Sequence, residues 1–182
     1  MALKATVRRI ELQLSDMDRH HYATYPLTLA QHPSETDARL MARVVAFALN
    51  AHERLEFGRG VSSDDEPDLW RKDLTGAIDL WIDLGQPDEA RVRRACGRAR
   101  EVLLVTYGGR SADIWWEKAE TVLARSKNLA VLDLAPAAID ALAAWNGRGL
   151  TLQCLIQDGR MQWIHGDDTV EIEPRVRLPR AR

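Results

Sequence analysis

The chain has 182 residues, of which 46% are hydrophobic and 29% are charged, and its formal net charge is −2. This length and composition fit one globular domain and exclude a low-complexity or largely disordered protein. A charge so close to neutral neither requires nor excludes a polyanionic partner, and any such partner must meet a local basic patch. No apolar stretch is long enough to span a membrane and the N-terminus lacks the apolar core of a signal peptide, so we expect a cytoplasmic protein without a membrane partner.

The first elements that the sequence predicts are two strands and a helix. Residues 5–14 and 25–31 have the composition of strands, and the polar segment between them favours an antiparallel hairpin. The segment 32–35, with Ser34 as the capping residue, then predicts a helix start. Apolar residues follow at helical spacing, so we expect the helix to end near Asn50.

A second hairpin is predicted over residues 66–85. Apolar and other residues alternate from Ile78 to Leu84, which indicates a strand, and Thr75 and Gly76 suit a two-residue turn before it. This turn sets three cross-strand pairs: Lys72 with Asp79, Trp70 with Trp81, and Asp68 with Asp83.

The pair of aspartates predicts either chemistry or a different register. Two carboxylates that face each other repel, and a shared proton or a bound divalent cation would offset the repulsion. Carboxylate oxygens suit Mg²⁺ or Mn²⁺. The alternative is that the turn differs by one residue, or that the strand ends separate and both aspartates face water.

The remainder of the chain alternates strands with helices before a final run of strands. The predicted elements are a helix over 87–98, a strand over 101–107, a helix over 111–124, a strand over 129–134, a helix over 136–146, and strands over 150–157, 161–164 and 169–173. Alternation of this kind predicts parallel pairing and an α/β (α+β) fold with a mixed central sheet and flanking helices. We predict one domain over residues 1–174 and a basic, mobile tail over residues 175–182.

The order of these elements is similar to that of the PD-(D/E)xK nuclease-like superfamily. The segments HHYATYPLTLAQHPSETDAR, DDEPDLW, LWIDLGQPDEARVRRACGRAR and TLQCLIQDG together resemble the YaeQ family of small bacterial proteins over nearly the whole length. This resemblance implies a variant of the PD-(D/E)xK, restriction-endonuclease-like fold in a cytoplasmic bacterial protein. The family has no established activity, so the resemblance implies the fold rather than the function.

The resemblance also implies a set of site residues. Glu35 matches the acid of the first helix, Asp68 after Pro67 matches the proline-aspartate strand, and Asp83 matches the acid of the next strand. These three acids are the candidate catalytic residues and the candidate ligands of Mg²⁺ or Mn²⁺. Nucleases of the superfamily carry a lysine two residues beyond the last acid, where this chain has Gly85. This departure argues against hydrolysis, because no ammonium group supports the developing hydroxide.

Arginines of the following helix are the candidate replacement for that lysine. Arg91, Arg94 and Arg98 share one helix face at spacings of three and four residues. Arginine is a poor proton acceptor and a good ligand for phosphate, so the three are candidate nucleic-acid-binding residues, and Arg94 is also a candidate catalytic cation.

Two functional hypotheses follow from these residues. The first is a metal-dependent nuclease-like or nucleic-acid-binding protein, a possible phosphodiesterase acting on DNA or RNA. The second is a catalytically inactive fold that serves as a regulatory or protein-interaction module, connected with transcription, and Gly85 and the near-neutral charge favour it.

Overall fold

The protein folds into two β-sheets with helices, described here from a computed structural model that covers residues 4–59 and 65–181. In chain order the elements are β1 (Thr6–Asp16), β2 (His21–Gln31), α1 (Asp37–Asn50), β3 (Leu55–Phe57), β4 (Leu69–Lys72), β5 (Ile78–Leu84), α2 (Glu89–Arg98), β6 (Ala99–Thr106), α3 (Arg110–Leu123), β7 (Leu129–Asp133), α4 (Pro136–Ala143), β8 (Gly149–Gln157), β9 (Arg160–His165), β10 (Asp168–Ile172) and β11 (Arg175–Leu178). The mixed α/β class is confirmed, whereas the expectation of one central sheet is wrong. Across the described parts of the chain, no helix combines the length and apolar character needed to cross a membrane.

The first sheet combines two strands from the start of the chain with three strands from near its end, in the order β10-β9-β8-β1-β2. β1 pairs with β2 along its whole length, from Thr6 opposite Gln31 to Asp16 opposite His21, so the N-terminal hairpin is confirmed. The three strands at the end of the series also form a meander, and β8 joins β1 in parallel. Because β8 pairs with β1, the last strands of the meander join the first sheet and not the second. No local sequence pattern predicts this long-range pairing.

The second sheet has the order β11-β7-β6-β5-β4-β3. β5, β6 and β7 are parallel, as the alternation of strands and helices predicted, because a parallel connection needs a crossover segment such as α2 or α3. β4 and β3 continue the sheet in antiparallel fashion on one side, and β11 does so on the other.

The main hydrophobic core contains α1 together with residues of both sheets. Almost every residue of α1 from Leu40 to Ala48 is inaccessible to solvent. Its cluster includes Leu12 and Trp163 of the first sheet and Ile82 of the second. A separate cluster lies between the second sheet and the helices α2 and α3. The second sheet is therefore covered on both faces, which is usual for parallel strands.

The start of α1 differs from the prediction by two residues. Thr36 is the N-cap, since its side chain accepts a hydrogen bond from the Arg39 N–H over 3.1 Å. Ser34 is engaged elsewhere, because its hydroxyl lies 2.6 Å from His32 Nδ1. The Glu35 N–H donates to the His32 carbonyl over 2.8 Å, which makes a separate turn before the helix. Glu35 therefore precedes α1 rather than belonging to its first turn.

The second hairpin keeps part of its predicted register. Trp70 faces Trp81 as predicted, but Lys72 pairs with Ile78 instead of Asp79 because the register shifts after Arg71. The physical reason is a longer turn, in which the Asp73 carboxylate accepts the backbone N–H groups of Thr75 over 2.8 Å and Ala77 over 3.0 Å. β4 begins at Leu69, so Asp68 lies just outside the ladder and is not a cross-strand partner of Asp83.

The basic C-terminal segment is ordered as β11, whereas the sequence predicted a mobile tail. β11 pairs with β7 in antiparallel fashion, with Arg175 opposite Asp133. Arg177 donates to Asp113 over 2.5 Å, and its side chain is only 7% exposed. Neutralisation of two aspartates by two arginines explains why this basic segment packs against the sheet. Residue 182 of the predicted tail lies outside the described residues.

Candidate functional site

The three predicted acids lie at the end of the second sheet where β5 finishes and α1 begins. Glu35 is 6% exposed, Asp68 is 6% exposed and Asp83 is 1% exposed. The alternative that both aspartates face water is therefore wrong. Burial of three carboxylates requires compensation, because a buried charge without a partner is strongly unfavourable.

Arg39 and Arg43 supply that compensation for Glu35 and Asp68. Arg39 donates through Nη1 to Glu35 Oε1 over 3.1 Å and through Nη2 to Asp68 Oδ1 over 2.5 Å. Arg43 donates to the other oxygen of Glu35 over 2.8 Å. The second oxygen of Asp68 accepts the backbone N–H of Leu84 over 2.8 Å. This network joins the entry to α1 to the start of β4 and the end of β5.

Asp83 is paired separately, on the opposite face of β5. Successive side chains of a strand point to opposite faces, so Asp83 lies on the side of α2 while Leu84 lies on the side of α1. Arg91 of α2 donates to both Asp83 oxygens, through Nε over 2.8 Å and through Nη2 over 2.9 Å. The structure therefore brings Glu35 and Asp68 to one guanidinium, and gives Asp83 another.

The electrostatics of the cluster follow from burial and these pairs. Burial raises the pKa of the Asp68 carboxyl, although Arg39 and the Leu84 N–H act in the opposite direction. Burial alone would lower the pKa of Arg39, but the carboxylates of Asp68 and Glu35 outweigh it and the pKa is raised. The pKa of Tyr107 is raised, mainly by burial, and its phenol responds to the charges of Arg39, Asp68 and Glu35. Tyr107 therefore belongs to the same electrostatic environment.

The arrangement of donors does not suit a metal ion. All six carboxylate oxygens of the three acids already accept a hydrogen bond from a protein donor. Within residues 4–59 and 65–181, no group of three or more histidine, cysteine, aspartate and glutamate side chains has a geometry that could hold an ion. Magnesium and manganese bind through carboxylate oxygens, so at least one arginine would have to leave before these acids could bind either ion.

Gly85, where the resemblance implies a lysine, has a backbone geometry that favours glycine. Its φ is +88°, which lies in the left-handed region that L side chains rarely adopt. Its N–H donates to the Val105 carbonyl over 2.9 Å, which holds the residue at the end of β5. A lysine at this position would strain the chain, so the departure is part of the local fold.

The three predicted arginines of α2 have different environments. Arg91 faces inward to Asp83 and also donates to the Glu66 carbonyl over 3.0 Å. Arg98 is exposed, donates to the Asp65 carbonyl over 3.0 Å and lies 5.2 Å from the centroid of the Trp81 ring. Arg94 is exposed and, in the part of the chain that the structure describes, makes no ion pair.

Arg39, Arg43 and Tyr107 are the site residues that the sequence reasoning missed. Arg39 and Arg43 follow Glu35 by four and eight residues, a spacing that places basic side chains on one side of a helix. That spacing is the signal which could have identified them. Tyr107 follows a buried strand and carries no comparable signal.

Comparison with known proteins gives a consistent family. The sequence model of the YaeQ protein family matches residues 1–174. The chain is 44% identical to the uncharacterized protein YaeQ of Escherichia coli (strain K12) over 167 residues, which cover 92% of each sequence. It is 42% identical to the uncharacterized protein YaeQ of Salmonella typhi over 173 residues, which cover 95% of this chain and 96% of the relative.

Solved structures show the same fold. The crystal structure of the YaeQ protein from Xanthomonas axonopodis pv. citri superposes with a TM-score of 0.93 at 56% identity, covering 98% of this chain and 99% of that one. The crystal structure of the YaeQ protein from Pseudomonas syringae superposes with a TM-score of 0.92 at 31% identity, covering 96% of this chain and 97% of that one.

Proposed function

Because this chain belongs to the YaeQ family, whose relatives in Escherichia coli and Salmonella typhi are uncharacterized, we propose its function from its own structure. The protein is a nuclease-like protein that binds nucleic acid, DNA or RNA, through the outer face of α2 and does not hydrolyse it. The acids that resemble a catalytic set, Glu35, Asp68 and Asp83, form structural ion pairs with arginines instead.

The order of elements in the second sheet supports a variant PD-(D/E)xK fold. Pro67 and Asp68 precede β4, Asp83 lies near the end of β5, and α2 leads into β6 parallel to β5. Glu35 reaches Asp68 through Arg39. The matching positions are thus close in space, with arginine between the acids.

The observation that carries the proposal is that the arginines of α2 differ in orientation and exposure. Arg91 faces inward and neutralises Asp83, whereas Arg94 and Arg98 are exposed and lie one helical turn apart. Guanidinium groups on one exposed helix face suit phosphate oxygens, and phosphate contacts supply most of the affinity for nucleic acid of any sequence. The outer face of α2 is the local basic patch that the net charge of −2 makes necessary.

The absence of hydrolysis has two supports. Each oxygen of Glu35, Asp68 and Asp83 is engaged by a protein donor. The backbone at Gly85 disfavours the lysine that would assist an attacking hydroxide. The Mg²⁺ or Mn²⁺ site expected from the resemblance stays a prediction, and it requires these ion pairs to open.

The test is the salt dependence of binding to labelled single-stranded DNA, duplex DNA and RNA, measured by fluorescence anisotropy. The logarithm of the association constant should fall linearly with the logarithm of salt concentration, with a slope of about 0.9 for each phosphate contact on duplex DNA. The double variant Arg94→Gln/Arg98→Gln should weaken binding and reduce this slope by about two. The matched control is Arg9→Gln, which removes an exposed arginine from the first sheet and should leave the slope unchanged.

Two outcomes would contradict the proposal. Binding that is absent, or that has no salt dependence, would remove nucleic acid as the partner. Cleavage of the nucleic acid with Mn²⁺ or Mg²⁺ that is lost in Asp83→Asn would restore the phosphodiesterase hypothesis.

The protein-interaction module is the second candidate, and a specific surface favours it. A groove between α2 and α3, of about 190 Å³, is lined in part by Trp115, Val122 and Leu123. Val122 is 37% exposed, so apolar surface is available there. This candidate would be favoured if binding of a protein partner survives high salt. That binding should be lost in Val122→Asp and kept in Arg94→Gln/Arg98→Gln.

A further inference from the structure

Arg39 bridges two acids of the cluster with a single guanidinium group. One guanidinium joins Glu35, 3.1 Å from Nη1, and Asp68, 2.5 Å from Nη2. The side chains of the two acids are 1% and 7% exposed, and that of Arg39 is 20% exposed. The cation is therefore held between two buried carboxylates and retains an edge toward solvent.

The charges of this group balance without any added ion. Arg43 donates to the second oxygen of Glu35, and its own side chain is 1% exposed. The Leu84 N–H completes Asp68. Two buried carboxylates are thus matched by two guanidinium groups, and a divalent cation added to them would leave two excess positive charges, against one when Arg39 is absent, so the ion is disfavoured while Arg39 is in place.

We propose that the guanidinium of Arg39 replaces a divalent cation in this protein, holding Glu35 and Asp68 together at the place where the superfamily resemblance implies a metal. The replacement is permanent, because the cation is covalently part of α1. Arg39 is therefore a positioning residue that locks the entry to α1 onto the β4–β5 hairpin. This inference is independent of the nucleic-acid partner proposed above, since Arg39 is not on the outer face of α2.

The exposures of the two arginines show which one to remove. Arg43 is enclosed and also donates to the Ala30 carbonyl over 3.1 Å, so its loss would leave a buried gap. Arg39 has a solvent-facing edge, and Arg39→Met keeps most of its volume while removing its charge. The variant leaves one oxygen of Glu35 and one oxygen of Asp68 without a hydrogen-bond donor. These two carboxylate oxygens are hard ligands of the kind that Mn²⁺ prefers.

The experiment is a titration of Mn²⁺ into wild-type protein and Arg39→Met, by calorimetry and by thermal unfolding. Wild-type protein is expected to show no saturable binding. Arg39→Met is expected to bind Mn²⁺ saturably, at least tenfold more tightly than the weakest binding that the titration of wild type could detect, and saturating Mn²⁺ should raise its Tm by several degrees because the ion binds only the folded state. Adding Asp68→Asn to Arg39→Met should abolish both effects.

Arg8→Met is the matched control. Arg8 is another largely buried arginine, with a side chain 12% exposed, and it pairs with Asp37 over 3.1 Å rather than with Glu35 or Asp68. Its removal should give no Mn²⁺ binding. Equal Mn²⁺ binding by Arg8→Met and Arg39→Met would overturn the inference, as would saturable binding by wild-type protein that Asp68→Asn removes.

A thermodynamic cycle keeps the inference testable if Arg39→Met folds poorly. In a Glu35→Gln/Asp68→Asn background, neutral amides replace both carboxylates and no cation is needed between them. Arg39→Met should therefore lower the Tm by less than half as much there as it does in wild type. Recovery of folded Arg39→Met only in the presence of Mn²⁺ would also support the replacement. An equal fall in Tm in both backgrounds would show that Arg39 contributes only packing and would overturn it.

Discussion

At the scale of single residues, the protein uses buried arginines to retain buried acids. Glu35 and Arg43 each have side chains only 1% exposed and lie 2.8 Å apart. A buried ion pair of this kind contributes little net stability compared with an apolar pair, but removal of one member leaves a charge without a partner. Stability measurements on single variants can therefore establish the structural role of these acids.

We expect Glu35→Gln to destabilise the fold by about 3–5 kcal/mol, because Arg43 would keep its buried charge without a carboxylate. Urea unfolding of wild type and variant measures this difference. Glu11→Gln, which changes an exposed glutamate of β1, is the control and should alter the free energy of unfolding by less than about 0.5 kcal/mol. A variant as stable as wild type would argue that the Glu35 carboxylate is dispensable for stability.

Glycines at two positions should respond in opposite directions to alanine. A Cβ at Gly85 or Gly97 would meet no heavy atom within 4 Å, so only the backbone conformation distinguishes them. We expect Gly85→Ala to cost about 1–2 kcal/mol, because φ is +88° there. Gly97→Ala in α2 should stabilise by about 0.5–1 kcal/mol, because alanine is the better helix former.

Thermal or urea unfolding of the two glycine variants provides the measurement. A stabilising Gly85→Ala would show that a side chain is tolerated at the lysine position. The backbone would then not explain why glycine stands where the resemblance implies a lysine.

At the scale of elements, β11 is connected to the second sheet by a backbone ladder and to Asp113 and Asp133 by ion pairs. Arg175 and Arg177 both contact Asp113 of α3 and Asp133 at the end of β7. The Thr106 hydroxyl donates to Asp133 over 2.5 Å, which orients that carboxylate. β11 is a four-residue edge strand whose Val176 is 57% exposed, so we expect its attachment to depend on these charges.

Asp113→Asn should loosen β11 without unfolding the rest of the protein. The expected result is faster hydrogen exchange of the amides of residues 175–178, with exchange in β5 and β6 unchanged. Asp140→Asn, which changes an exposed aspartate of α4, is the control. Unchanged protection of β11 in Asp113→Asn would mean that the backbone ladder suffices.

The same contact should depend on pH with a defined sign. Hydrogen bonds from Arg177 and Arg175 hold the pKa of Asp113 below its ordinary value of 3.8. A carboxyl whose pKa is lower in the folded state stabilises that state fully above the ordinary value, and the stabilisation is lost as pH falls through the lowered value. After correction for intrinsic exchange rates, protection of β11 should therefore fall below pH 3.8, and Asp113→Asn should remove this dependence.

At the scale of the whole molecule, α1 makes the two sheets parts of one core. Leu40 is 2% exposed and belongs to the cluster that contains Leu12 of the first sheet and Ile82 of the second. A core shared in this way should unfold in one cooperative transition. The single domain expected from the sequence stays a prediction that this behaviour would support.

Leu40→Ala is the corresponding test. Loss of buried methyl groups should cost about 2–5 kcal/mol. Native-state hydrogen exchange should report the same loss for amides in β1 and in β6, because both depend on the same core. Leu74→Ala, at a side chain that is 93% exposed, should change neither. A loss confined to one sheet would indicate two independently stable units.

Much of the fold and part of the site follow from local patterns in the sequence. The hairpin of β1 and β2, the parallel run from β5 to β7 and the cross-strand pair of Trp70 and Trp81 were predicted because alternation and turn residues act over short distances. The predicted pair of Lys72 and Asp79 failed because the Asp73 side chain closes a longer turn, a contact that the spacing does not reveal. The three acids were found and Arg91 was named in a different role, but Arg39 and Arg43 were not found.

The sequence by itself determined most of the elements, their approximate bounds and the acidic residues near the end of the second sheet, because these depend on periodicity, caps and spacing. Only the tertiary structure decided that β8 joins β1 in a sheet of its own, that β11 is a strand rather than a loose tail, and that Arg39 lies between Glu35 and Asp68. Those outcomes depend on contacts between residues far apart in the chain. A carboxylate's partner, whether arginine or metal, is chosen by which charges reach it after burial, and only the folded chain specifies that.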